Sequence, residues 1–263
     1  MSDRRAELAT ITAALREAGA MLLSGFRGPL VVTRIADSSP VTEFDRRADR
    51  LLRERLVGAG EGWLSEETVD LPAERIDRHR VWIVDPLDGT QEFIDGVPEW
   101  SVSIGLVEDG RPVAGGVFNP VADQLIVGAE GLGVTLNGRA VAARPSPASL
   151  AEVEVLASDS EFARGEWQSV ACDLRVRPVG SIAYKLALVA AGLADATWTL
   201  RPKSEWDVAG GAALVLASGG TVCRRDREPL RLNRPNPRLS GVAAWSAGAA
   251  VWLERYVGRL LVG

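Results

Sequence analysis

Val81-Trp82-Ile83-Val84-Asp85-Pro86-Leu87-Asp88-Gly89-Thr90 is the stretch from which the rest of the chain takes its meaning. The apolar run at 81–84, three of its four residues β-branched, has the length and composition of a buried strand. Asp85-Pro86 is expected to stop it, because proline has no N–H to give to a ladder. Gly89 frees the backbone, so a tight turn can fold Asp85, Asp88 and Thr90 around one point. Carboxylates crowded at the edge of a core repel one another and lose hydration, and a cation between them relieves both penalties. Mg²⁺ prefers oxygen ligands and keeps positions open for water and phosphate oxygens. Asp, Pro and Gly are also ordinary turn formers, so the local sequence alone leaves a plain turn open.

The 263 residues, 46% hydrophobic and 25% charged, are those of a soluble globular protein with room for one large domain or two packed halves. A net charge of −5 gives no electrostatic reason to expect a nucleic-acid polymer as partner. A small phosphorylated ligand met by a metal remains compatible. Cys172 and Cys223 fit no zinc spacing and no disulfide framework, which points to a reducing cytoplasm, and both read as small core residues. No apolar run spans a bilayer, and Met1-Ser2-Asp3-Arg4-Arg5 leads into an amphipathic helix. The single histidine, His79, lies between Arg78 and Arg80 and reads as a surface loop residue, which leaves no second histidine for a metal site.

Leu8, Ile11, Leu15, Ala18 and Leu22 recur at helical spacing, and Gly25 and Gly28-Pro29 end that helix. A short strand is expected at 31–35, followed by the loop Asp37-Ser38-Ser39-Pro40. Thr42 and Asp45 have the spacing of a capping box at the head of a second helix through Ala48, Leu51, Leu52 and Leu56. The segment 61–67 reads as a short strand ending in the acidic pair Glu66-Glu67, and 71–80 as a loop. If the strands before Glu66 and Asp85 lie side by side, their carboxylates meet at one edge. Alternation at 100–107, the Asp109-Gly110 turn and a return at 112–118 give a hairpin, and further turns at Asn119-Pro120, Gly131 and Asn137-Gly138 extend the meander to about Val141.

Arg144-Pro145-Ser146-Pro147 is a connector, so residues 1–145 are expected to form an N-terminal α+β half and residues 146–263 a C-terminal α/β half. Strands and helices alternate in the second half: strand 153–157, a helix near 162–170, strand 174–179, and a helix at 182–191 opened by Gly180-Ser181. The amides there can receive phosphate oxygens or serve an ordinary serine cap. Asp207 stands near the start of a helix whose Ala209, Gly210, Gly211, Ala212 and Ala213 permit close packing. A carboxylate at that depth needs a partner, either the helix dipole or a metal. The remainder, strands at 221–223 and 242–245 and a closing helix to 261, shows no chemistry.

Taken together, Thr42-x-x-Asp45, Ser65-Glu66-Glu67, Asp85-Pro86-Leu87-Asp88-Gly89-Thr90, Gly180-Ser181 and Trp206-Asp207-Val208-Ala209-Gly210-Gly211 resemble the inositol monophosphatase superfamily, in order, from about residue 41 to about 220. The resemblance implies a layered α/β/α/β/α sandwich and a phosphomonoesterase. It implies that Glu66, Asp85, Asp88, Asp207 and the Leu87 carbonyl ligate two or three Mg²⁺ ions. Thr90 and Asp45, with Glu66 in the catalytic group, would ready the attacking water, Gly89 and Thr90 would help hold the phosphate, and Gly180 and Ser181 would line the substrate side. A homodimer and inhibition by lithium are implied as well. One half then carries most metal ligands and the other the substrate side with Asp207.

Gln91-Glu92-Phe93 and Ser204-Glu205-Trp206 look more like the 3′(2′),5′-bisphosphate nucleotidase branch. Inositol monophosphatases carry an acidic residue seven positions before the last metal aspartate, where this chain has Leu200. Among 30 basic residues only Lys185 and Lys203 are lysines, and both flank the expected substrate side. Their compact charge suits a second phosphate, the 5′-phosphate of 3′-phosphoadenosine 5′-phosphate. An inositol-1-monophosphatase or broad sugar-phosphate phosphatase is the alternative. An aspartyl-phosphate enzyme requires carboxylates two apart, whereas Asp85 and Asp88 are three apart. A catalytically silent phosphometabolite-binding protein on the same fold is the last rival.

Overall fold

The computed structural model describes residues 3–34 and 40–262. Helix α1 (Arg4–Gly25) is capped by Asp3, whose carboxylate accepts the Arg5 and Ala6 amides. Strands β1 (Val32–Arg34) and β2 (Pro40–Thr42) form a small antiparallel ribbon. The expected strand residue Ile35 and the loop residues Asp37, Ser38 and Ser39 lie outside the described residues. Helix α2 (Glu43–Leu56) starts with the Thr42–Asp45 capping box and buries Asp45, Ala48, Asp49, Leu52 and Leu56.

Strands β3 (Gly62–Ser65), β4 (Arg80–Asp88), β5 (Ser101–Glu108), β6 (Arg111–Asn119), β7 (Gln124–Ala129), β8 (Gly133–Leu136) and β9 (Arg139–Ala140) form one seven-stranded sheet in sequence order. Its first pair is parallel and the rest antiparallel. Asp109 and Gly110 take positive φ in the β5–β6 turn, as expected of that dipeptide. The segment read as a loop before β4 contains one turn of helix, α3 (Pro72–Arg75), because Pro72 at the first position suits a helix start. Helix α4 (Thr90–Asp95) follows β4.

Strand β10 (Glu154–Ser158), helices α5 (Asp159–Ala163) and α6 (Gln168–Ala171), β11 (Arg175–Val179), α7 (Ile182–Ala190), β12 (Ala196–Thr199), β13 (Lys203–Ser204), α8 (Glu205–Ala217), β14 (Thr221–Arg224), β15 (Arg238–Leu239), β16 (Val242–Trp245) and α9 (Ala250–Val262) complete the chain. A second sheet runs β11-β10-β12-β16-β14, and β13 pairs with β15. The helix expected near 162–170 is two short pieces, because Gly165 turns through positive φ between them.

Three apolar clusters define five layers. Ile11, Leu15 and Leu22 of α1 and Leu52 of α2 pack on one face of the first sheet. Leu186 of α7 and Val208 and Leu214 of α8 fill the space between the two sheets, meeting Ile83 from one and Leu156 and Val242 from the other. Trp167, Trp198, Leu253 and Val257 close the outer face of the second sheet. This is the expected α/β/α/β/α sandwich, and its middle layer is unusually close to the first sheet. A Cβ on Gly105 would stand 2.7 Å from Ala209, and one on Gly210 would stand 2.6 Å from Ser103 Oγ, so only glycine permits α8 to lie on β5 at backbone distance. Cys223 is buried as expected, but Cys172 is exposed at the C-terminal cap of α6.

Candidate active site

Strand β4 does not stop at Asp85. It continues to Asp88 through an irregularity, with Asp85 facing Ser103 and Asp88 facing Ser101. Three steps on β4 match two on β5, so one extra residue is accommodated at Pro86-Leu87, where proline's missing N–H costs no ladder bond. Ser101 and Ser103 share a face of β5, and directly paired residues share a face of the sheet. The bulge therefore places Asp85 and Asp88 on the same side, which an unbroken strand cannot do for residues three apart. Gly89 then turns with φ 99°, and a Cβ there would press on Trp100 at 3.1 Å.

The parallel register sets Ser65 beside Val84, which brings the next residues, Glu66 and Asp85, to the same sheet edge, as the sequence leads one to expect. Asp207 is the third residue of α8, and its Oδ2 accepts the Ser204 amide at 2.8 Å. Glu205 anchors that helix start by accepting the Asn233 and Arg234 amides at 2.6 and 3.2 Å. Glu66, Asp85, Asp88 and Asp207 line one cavity of about 790 Å³, together with Leu87, Gly89, Thr90, Gly180, Ser181, Lys185 and Lys203.

Asp45 and Thr90 meet across the sheet edge. Asp45 Oδ2 accepts the Thr42 amide at 2.8 Å and the Thr42 hydroxyl at 2.5 Å. Asp45 Oδ1 lies 3.2 Å from Thr90 Oγ1, which is also 3.0 Å from the Leu87 carbonyl. Burial pushes the Asp45 carboxyl up from its ordinary value, against the opposing pull of the Thr42 bonds.

The acidic groups raise one another's affinity for protons. Glu66 opens to the cavity but is otherwise surrounded by protein; burial, then the charges of Asp207, Glu67, Asp88 and Asp45, push it up to about 8. Asp85, fully buried, is raised well above the usual carboxylate range by burial and by Glu66, Asp88 and Asp207. Asp207 is raised to about 6 by burial, with Lys203 pulling it down and Asp88 pushing it up. Among the described residues no group of three or more acidic, histidine or cysteine side chains already stands as a cage for a metal ion. The hydrogen bonds explain why: Asp85 Oδ1 holds the Leu87 amide at 3.0 Å, Asp88 Oδ2 holds the Ser181 hydroxyl and Ala183 amide, each at 2.6 Å, and Asp207 is turned to Ser204. The donor set nonetheless suits a hard divalent cation, being oxygen throughout and mutually repelling, with Asp85 buried, Asp88 and Asp207 partly buried and Glu66 open to the cavity.

The substrate side differs from expectation in detail. The Gly180 amide is not free for a phosphate, because it donates to Glu99 Oε2 at 2.6 Å. Ser181, at φ 52°, gives its hydroxyl to Asp88 and caps α7 by accepting the Tyr184 amide at 3.1 Å. Lys185 is buried, with Nζ donating to the Val179 and Ser181 carbonyls at 2.9 and 3.1 Å. Two of its three N–H donors are thus committed to the backbone. Burial lowers its pKa to about 8. Lys203 is only half-buried on β13.

Two basic cavity residues, Arg46 and Arg238, carried no local signal in the sequence. Arg46 follows Asp45 on α2, and Arg238 reaches the cavity only because β15 pairs with β13; its Nη1 donates to Ser204 Oγ at 3.2 Å. Glu67, raised to about 7 by burial and the charges of Asp45 and Asp49, faces the same space.

The inositol monophosphatase family model matches residues 3–255. An inositol-1-monophosphatase of Rhizobium meliloti (strain 1021) is 33% identical over 230 residues, 82% of this chain and 85% of that protein. The 3′(2′),5′-bisphosphate nucleotidase CysQ of Salmonella typhimurium is 35% identical over 219 residues, covering 79% and 86%. Among solved structures, the extragenic suppressor protein suhB from Bartonella henselae superposes with a TM-score of 0.79 at 29% identity, covering 96% of this chain and 98% of that one. Enzymes of this family generally depend on Mg²⁺. Fold, motif order and these likenesses agree: the chain belongs to the inositol monophosphatase family and is a phosphoric monoester hydrolase.

Proposed function

We propose that this phosphatase acts on a small metabolite bearing two phosphates, 3′-phosphoadenosine 5′-phosphate, and releases the 3′-phosphate to leave AMP. The observation that carries the reading is the mixed lining of the cavity: Arg46, Lys185, Lys203 and Arg238 share it with Glu66, Asp85, Asp88 and Asp207. One phosphate meets the acidic side through cations, and a second needs cationic side chains of the protein's own. Leu200 supports the same choice, because it packs with the outer apolar cluster and offers no carboxylate to a polyol. A relative named as a bisphosphate nucleotidase accords with it. Inositol-1-monophosphatase activity is the second reading, favoured by the likeness to the R. meliloti protein. To the proposal also belong a homodimer, a cytoplasmic setting and inhibition by lithium. Among the described residues no helix is long and apolar enough to cross a membrane.

Glu66, Asp85, Asp88, Asp207 and the Leu87 carbonyl would hold two or three Mg²⁺ ions. When bound, Mg²⁺ supplies positive charge to the phosphoryl oxygens and to the attacking and departing oxygens. The chain's own part is the proton. Thr90 has one hydroxyl proton and two acceptors, Leu87 O and Asp45 Oδ1. When that proton is given to Asp45 Oδ1, the Thr90 oxygen is left to receive one from the attacking water. The water oxygen bonds to phosphorus, the P–O ester bond breaks with its electron pair going to the ribose oxygen, solvent protonates the departing alkoxide, and Asp45 returns its proton to solvent. No protein nucleophile takes part.

Phosphate release from 3′-phosphoadenosine 5′-phosphate and from inositol 1-phosphate, with and without Mg²⁺ and Li⁺, tests the reading. We expect Mg²⁺-dependent turnover with the bisphosphate preferred. Lys203→Ala should lower kcat/KM at least about 10-fold on the bisphosphate, the worth of one charge-assisted contact, and much less on inositol 1-phosphate. Equal loss on both substrates overturns the substrate assignment.

A further inference from the structure

Asp49 is a buried carboxylate of α2 that does not line the cavity. Its Oδ1 accepts the Ser65 hydroxyl at 2.5 Å and its Oδ2 the Thr68 hydroxyl at 2.7 Å. Thr68 Oγ1 in turn accepts Trp63 Nε1 at 3.3 Å. The two anchored residues bracket Glu66 and Glu67, just where the chain leaves the ladder after β3. A buried carboxylate served by two neutral hydroxyls is a costly way merely to pack a helix.

The position on α2 gives it a use. Asp45 and Asp49 are one turn apart and so project from the same face, with Cα atoms about 6 Å apart. Asp45 grips Thr90 and Thr42, while Asp49 grips Ser65 and Thr68. A rigid helix thus relates the turn after β4 to the loop after β3, the two places from which Thr90 and Glu66 enter the cavity. We propose that Asp49 is a positioning residue that fixes the Glu66 loop to α2 and thereby sets the affinity of the site for a divalent cation. The inference rests on the ligand role given to Glu66 under the proposed function. A carboxylate whose loop is held at both sides approaches a cation without an ordering cost, and loss of such a support weakens metal binding about 10- to 100-fold.

Titration calorimetry of Mg²⁺ into metal-stripped protein reads this directly, apart from activity. Asp49→Ala is expected to weaken binding about 10- to 100-fold. Asp49→Asn should stay within about 5-fold, because its amide accepts from one hydroxyl and donates to the other. The double variant Ser65→Ala/Thr68→Val should reproduce Asp49→Ala, and combining all three changes should add little. Circular dichroism checks folding, and the asparagine and hydroxyl variants keep the test decisive if the alanine variant unfolds. Wild-type-like Mg²⁺ binding in Asp49→Ala, or in the hydroxyl double variant, overturns this inference alone. A wild type that binds no Mg²⁺ overturns the ligand reading and this inference with it.

Discussion

Thr90 Oγ1 lies 3.2 Å from Asp45 Oδ1, joining the first residue of α4 to the third residue of α2 across 45 positions of sequence. Asp45 Oδ2 is occupied twice by Thr42, so Oδ1 is its acceptor toward the cavity. In the mechanism proposed above the two side chains form one proton path, and they should then fail as one. Thr90→Val and Asp45→Asn are each expected to lower kcat about 10²- to 10⁴-fold at saturating Mg²⁺, with the double variant little worse than either. Thr90→Ser should recover most of the loss. Multiplying losses in the double variant would show that the two act separately.

Asp207→Asn should separate stability from activity. The wild-type carboxylate is penalised by burial and repelled by Asp88, which together outweigh the attraction of Lys203, and an asparagine Oδ1 can still accept the Ser204 amide. In chelator, thermal unfolding of the variant is expected at or above the wild-type temperature. Added Mg²⁺ should raise the wild-type Tm and leave the variant nearly unmoved, while phosphatase activity disappears in the variant. Full activity of Asp207→Asn, or of Asp88→Asn, at saturating Mg²⁺ would remove these residues from the ligand set.

Lys185 gives a pH signature. Burial lowers its pKa from 10.5 to about 8, against the attraction of Asp88 and Glu92 and with the repulsion of Lys203. Below about 8 the lysine is charged in both the folded and the unfolded chain, and the cost of burying the charge is fully present. Between about 8 and 10.5 the unfolded chain still holds the proton that the folded chain has released, so stability rises with pH, by about 1.4 kcal/mol per unit at most. Chemical denaturation of wild type and Lys185→Met over pH 7–11 should show the wild type gaining on the variant across that window. Parallel curves would mean that the lysine titrates normally.

Much of this was legible in the chain because the chemistry is local. The carboxylates of Asp85 and Asp88 announce themselves beside Pro86 and Gly89, and Thr42 with Asp45 announces a helix start. The bulge was not legible: Pro86 suggested an end to the strand, and only pairing with Ser101 and Ser103 of β5 shows that the strand goes on. Gly180 looked like an anion site because nothing in the sequence brings Glu99, 81 residues away, to its amide. Arg238 arrives by a strand pairing formed at long range, which no periodicity encodes. Cys172 read as a small core residue, yet it stands exposed at the cap that ends a short helix.

Arginine has almost displaced lysine in this protein, and the two lysines that remain both line the cavity. A guanidinium resists acylation, whereas the amine of half-buried Lys203 is open to it. Amine-directed reagents therefore meet an accessible side-chain target only at the cavity, so the protein carries its own footprinting probe, whose protection reports occupancy without any engineered label.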